Sequence, residues 1–113
     1  MKERLRITLP HRLTELTGLV ESVLLDPKAV GCNPIHTYPY LAVAQRIARA
    51  LIRMERGAPR LLVRDDGREQ RFIRLVDDEH SIFDREHLWQ DRYSHDRAAR
   101  AVVAAILTRE VRR

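Results

Sequence analysis

The sequence predicts a small α+β domain with three main helices and one β-hairpin. Three observations carry that prediction. Residues 38–57 read YPYLAVAQRIARALIRMERG, with Arg46, Arg49, Arg53 and Arg56 recurring at spacings of three, four and three. Val43, Ala44, Ile47, Leu51 and Met54 fall on the opposite side, so at 3.6 residues per turn this is a two-faced helix. Two further segments, near residues 13–24 and 98–107, repeat aliphatic residues at helical spacing. Finally, residues 60–76, RLLVRDDGREQRFIRLV, place Asp65-Asp66-Gly67 between two runs rich in β-formers. That is hairpin chemistry, with glycine supplying the positive φ.

The elements follow in order. Residues 5–9 (LRITL) form a short strand or an extended lead-in. Pro10 suits a first helical turn, and Leu13, Leu16, Val20, Val23 and Leu24 give a helix near 10–25 despite Gly18. Asp26-Pro27 ends it and caps a short helical turn through Val30. Residues 31–39, GCNPIHTYP, read as a loop because of two prolines and a glycine. Thr37 is the expected N-cap of the arginine helix, and Gly57 its left-handed C-cap. In the hairpin, a bulge at Gly67 puts Leu61, Val63, Ile73 and Leu75 on one face. The other face then carries Arg60, Arg64, Arg68 and Arg74 beside an apolar patch of Leu62, Phe72 and Val76. Asp77-Asp78-Glu79 starts an acidic connection, and Ile82, Phe83, Leu88 and Trp89 mark a short helix near 82–91. Ser94 or Asp96 caps a last helix to about residue 110, with Ala98, Ala99, Val102, Val103, Ile106 and Leu107 inward.

Residues 1–113 suit one domain with one core, which must be aliphatic because aromatics are only 5% of the chain. No apolar run approaches a membrane span, and the first residues lack the apolar stretch of a signal peptide. Cys32 is alone, which excludes an internal disulfide and a cysteine-based zinc cluster. These points favour a cytoplasmic protein. An arginine-rich, lysine-poor composition suits GC-rich coding, in a bacterium or its phages and plasmids. The formal charge of +5 is segregated: +1 over residues 1–40, +5 over 41–76, −5 over 77–96 and +4 over 97–113. A basic middle predicts a phosphate-rich or carboxylate-rich partner, unless the acidic stretch folds back upon it.

A helix, a short helix, a long helix and then a hairpin is an element order that resembles a winged helix-turn-helix, over roughly residues 10–76. The resemblance implies that Arg46, Arg49 and Arg53 approach a major groove, and that Arg64 and Arg68 at the wing tip reach phosphate. The opening LRITLPHRLTELTGLV resembles the start of ribbon-helix-helix repressors, but the following loop is too long for that motif and a hairpin has no place in it.

Catalytic chemistry finds little footing. His80, His87 and His95 lack zinc-ligand spacing and read as isolated surface histidines. Asp65, Asp66 and Glu69 are explained by a turn, and Cys32 beside His36 lacks a third orienting group. Tyr38, Tyr40 and Trp89 read as core-edge aromatics. The expectation is a non-enzymatic protein without metal or cofactor that binds nucleic acid, DNA first, through Arg46, Arg49, Arg53, Arg56, Arg64 and Arg68. The alternative is a protein-interaction module, such as a phage-encoded inhibitor or adaptor, anchored on Leu62, Phe72 and Val76. The sequence leaves the oligomeric state open.

Overall fold

Four long helices and one short one make up the computed structural model, which describes residues 9–55, 66–84 and 93–112. They are α1 (Leu9–Leu24), α2 (Pro27–Val30), α3 (Tyr40–Glu55), α4 (Asp66–Asp84) and α5 (His95–Arg112). The described residues contain no strand. α1 packs on α3, α3 on α4, α4 on α5, and α5 back on α1. Among the described residues the backbones of the diagonal pairs α1–α4 and α3–α5 do not approach closely, so the four long helices form a closed ring around one core. The short α2 seats against α1 and α5.

Helical periodicity decides what each element gives to that core. In α1 the stripe is Leu16, Val20 and Leu24, with Leu13, Leu19 and Val23 packed at its margin. In α3 it is Val43, Ala44, Ile47, Ala48 and Leu51, all without solvent exposure. In α5 it is Ala98, Ala99, Val102, Val103, Ile106 and Leu107, as the sequence predicts. The small residues of α3 and α5 let backbones approach closely, which compensates for the lack of bulky aromatics. Met54, expected on the buried side of α3, is 38% exposed near the end of that helix.

The caps are partly as expected. Asp26 Oδ1 accepts from the Lys28 N–H at 3.0 Å, and Gly31 closes α2 at φ 88°, where a side chain would be strained. Arg97 of α5 donates from Nε to the Ala29 carbonyl at 3.2 Å and from Nη2 to the Lys28 carbonyl at 3.0 Å. A cation thus satisfies the carbonyl end of α2 and ties it to α5. Ser94 Oγ accepts from the Arg97 N–H at 3.3 Å and caps α5. Thr37 does not cap α3; the first helical bond runs from Val43 N–H to the Pro39 carbonyl at 3.0 Å, two residues further on.

The hairpin expectation is wrong, and with it the α+β fold class and the wing. Residues 66–84 form one helix of 19 residues. Phe72 is 1% exposed and Val76 fully buried, so both belong to the core and not to an exposed patch. Leu62, Arg56, Arg64 and Gly57 lie outside the described residues, and Arg68 lies on α4. Asp77, Asp78 and Glu79 are not a connection but part of α4. The short helix expected near 82–91 is the end of α4 as far as Asp84, and the rest of that stretch lies outside the described residues. The reason is a period misread. Phe72, Ile73, Val76 and His80 repeat at helical spacing and are all buried, but a histidine does not announce itself as a core position. Asp66 followed three residues later by Glu69 is also a helix-start signature, so the same residues serve a turn or a helix.

Phe72→Ala is expected to cost about 3–5 kcal/mol, because it empties a filled core site; thermal or urea unfolding checks this, and a near-neutral effect contradicts its core placement. Gly18 is exposed on α1, and a Cβ there meets nothing within 4 Å. Gly18→Ala should therefore raise stability by about 1 kcal/mol through helix propensity alone, read by the same unfolding curves.

Candidate functional site

The outward face of α3 is where the sequence places its chemistry. Arg46, Arg49 and Arg53 are all solvent-exposed there, while the opposite stripe is sealed in the core. A helix fixed along its whole buried side holds its outer positions in constant register, so these guanidinium groups have a rigid base.

Their surroundings differ. Arg46 donates from Nε to Glu79 Oε1 on α4, and its guanidinium carbon stands 5.9 Å from the centre of the Phe83 ring. It is thus gripped by a carboxylate and an aromatic face together. The side chain of Arg46 remains 51% exposed, against 19% for Glu79. Arg49 and Arg53 pair with no carboxylate among the described residues. Among the described residues the acidic stretch therefore does fold back, but onto Arg46 and not onto Arg49 or Arg53.

α4 extends the basic surface. Arg71, Leu75 and Glu79 lie four residues apart and share one ridge of that helix. Glu79 touches Arg46 of α3, and Arg71, two turns earlier, is solvent-exposed. Arg74 is exposed on the outer surface of α4. The seam between α3 and α4 thus carries Arg46 and Glu79, with Arg49 and Arg53 exposed on α3 and Arg71 exposed on α4. Arg71 is a residue that the sequence did not single out, whereas Glu79 belongs to the acidic cluster that it did. Reading residues 72, 73, 76 and 80 as one helical stripe would have found Arg71.

On α5 three cations are engaged. Arg100 donates from Nε to Asp96 at 2.9 Å, Arg109 pairs with Glu15 at 3.6 Å, and Arg97 is committed to α2. These exposed pairs are each worth little, but they lower the free positive charge of α5 relative to α3.

A second cluster lies inside the ring. His80 is fully buried, which corrects its reading as a surface histidine; His36 is exposed and His95 half-buried. The Tyr93 hydroxyl lies 3.0 Å from His80 Nδ1 and 2.8 Å from Nε2. The His95 ring packs edge-on against His80 with centroids 4.9 Å apart, and the Tyr38 ring tilts against it at 5.7 Å. The Tyr38 hydroxyl donates to the His80 carbonyl at 3.4 Å, joining the lead-in to α3 with α4. Tyr40 is also buried and takes the Ile35 N–H on its hydroxyl oxygen at 2.8 Å, so both tyrosines serve the core edge as expected. Burial, and then the neighbouring His95, hold the His80 imidazole neutral, with its pKa lowered to about 3.

Cys32 is buried as well, and burial pushes its thiol above the ordinary value, which leaves it protonated at neutral pH. Among the described residues no group of three or more His, Cys, Asp or Glu is placed to hold a metal ion. No described helix is long and apolar enough to cross a membrane. No protein-family model matches the chain, and no curated protein or solved structure shows significant similarity to it.

The buried histidine couples stability to pH. In the unfolded chain His80 titrates near its ordinary 6.5, but in the fold only near 3. Between those values the unfolded state binds more protons, so stability falls as pH falls, and it is fully present only above about 6.5. From pH 8 to pH 5 this one group should remove about 2 kcal/mol. Urea unfolding of the native protein and of His80→Gln across that range measures it; equal pH slopes for the two would show that His80 does not carry the effect.

Proposed function

We propose that the protein is a non-enzymatic nucleic-acid-binding factor that engages the phosphate backbone along the seam of α3 and α4. The observation that supports this reading is the exposure of Arg49 and Arg53, with no carboxylate partner among the described residues, on a helix whose other face is sealed in the core. Arg46 lies on the same exposed face of α3, and Arg71 is exposed on the neighbouring α4. Arginine suits the task because its planar fork meets phosphate oxygens in pairs and stays charged at any physiological pH. Duplex DNA is the favoured form, since a major groove admits a helix of this width. The described residues supply no base-reading pattern, so positioning on the backbone outweighs sequence discrimination in this reading. A regulatory or accessory role in the cytoplasm of a bacterium, or on a mobile element, fits a small basic domain. An acidic protein surface is the alternative partner for the same arginines. The apolar anchor once available to that alternative is gone, because Phe72 and Val76 are core.

Four arginines meeting four phosphates give a log K against log salt slope of roughly −3.6 on duplex DNA. Replacing Arg49 and Arg53 by alanine should flatten it by about 1.8 while leaving the melting temperature nearly unchanged, since both side chains are exposed. Anisotropy titrations of a labelled 20-base-pair duplex between 50 and 200 mM salt, on the order of the range where such binding is steepest, measure this. Absence of binding at the low end, or binding indifferent to salt, overturns the reading. Recovery of a defined protein from nuclease-treated lysate, with no DNA affinity, favours the alternative.

A further inference from the structure

We propose that Glu79 is a built-in competitor for Arg46, an internal carboxylate that a nucleic-acid phosphate must displace; this rests on the nucleic-acid reading above. Among the described residues, Arg46 is the one member of the α3 row with an acidic partner. That partner comes from a neighbouring helix and not from the next turn of α3. Glu79 precedes the fully buried His80 on α4, and its own side chain is mostly covered, so the carboxylate is held in place. Arg46 is long, half-exposed and attached to a rigid helix, so it is the partner that can move. Glu79 engages Arg46 through Nε, and no other hydrogen bond from Arg46 is made to a described residue. The terminal nitrogens are therefore available to begin contact with a phosphate before the Nε bond is given up. The Phe83 ring gives the guanidinium a surface along which to slide during that exchange.

The exchange is a contest between two anions for one cation. A partly exposed carboxylate pair holds weakly in water. A phosphate in a polyanion brings a local field from its neighbours and releases counterions on binding. A dense row of phosphates can therefore win Arg46, whereas an isolated phosphate or a carboxylate-bearing solute finds only Arg49, Arg53 and Arg71 open. The pair thus sets a threshold of charge density below which the full row is not assembled.

Simple removal of a negative charge would also favour a polyanion, so the experiment must separate the two effects. Binding of the labelled 20-base-pair duplex is measured for the native chain, Glu79→Gln, Arg46→Ala and the double variant, across salt. Glu79→Gln should bind roughly two- to fivefold tighter, the range expected for releasing one such pair, with a salt slope near the native −3.6, because Arg46 meets a phosphate in both chains. In the Arg46→Ala background the same substitution should give a clearly smaller gain, that of removing the negative charge alone. Glu79→Asp keeps the net charge and draws the carboxylate back by one methylene; it too should bind tighter, and it serves if the glutamine variant does not fold. An equal gain with and without Arg46, or no gain from either variant, overturns the competitor while leaving DNA binding by Arg49 and Arg53 intact. A native chain with no affinity for duplex DNA at low salt overturns both readings together.

Discussion

The sealed stripe of α3 is the constraint on which the rest depends. Val43, Ala44, Ile47, Ala48 and Leu51 have no solvent exposure, and they receive α1 on one flank and α4 on the other. Removing those aliphatic surfaces from water is the main favourable term for a domain of this size. Once that stripe is inward, the helix has no freedom to rotate. Every arginine at Arg46, Arg49 and Arg53 must then project outward. The basic face is thus a consequence of core packing, and it is as rigid as the core behind it.

A less expected feature is how much polarity the ring tolerates inside. His80 occupies a position that an aliphatic residue would fill more cheaply, since a buried imidazole must stay neutral and find partners. Tyr93, Tyr38 and His95 supply them from the residues before α5, from the lead-in to α3 and from α5 itself. The cluster therefore joins three parts of the chain by directional contacts where a greasy contact would leave orientation open. Such networks specify geometry more than they add stability. The same burial links the fold to proton concentration, because the unfolded chain can accept a proton that the folded one refuses.

Electrostatics on the outside is arranged by partition. On α5, Arg100 faces Asp96, Arg109 faces Glu15 of α1, and Arg97 faces the carbonyls of α2. On α3, only Arg46 is so engaged among the described residues. Among the described residues this uneven pairing leaves positive charge on the outer face of α3. One carboxylate at Glu79 then tempers that charge at its edge.

The sequence by itself determined the local helices whose period is written in apolar residues alone. The stripe of α1, the two-faced α3, the α2 turn between Asp26 and Gly31, and the inward side of α5 are all readable from spacing, because short-range sterics and burial act together there. The exposure of Arg46, Arg49 and Arg53 was legible for the same reason. Between residues 66 and 84 the local signals were divided. Asp66, Gly67 and the alternation of Ile73 with Leu75 suit a hairpin as well as a helix, and propensity is too weak to choose. Tertiary structure chose, because only a helix brings Phe72, Ile73, Val76 and His80 together against α3 and α5. It also decided which acidic residue meets which arginine. Arg46 and Glu79 are 33 residues apart in the chain, and charge in a sequence carries no address until packing sets two helices side by side.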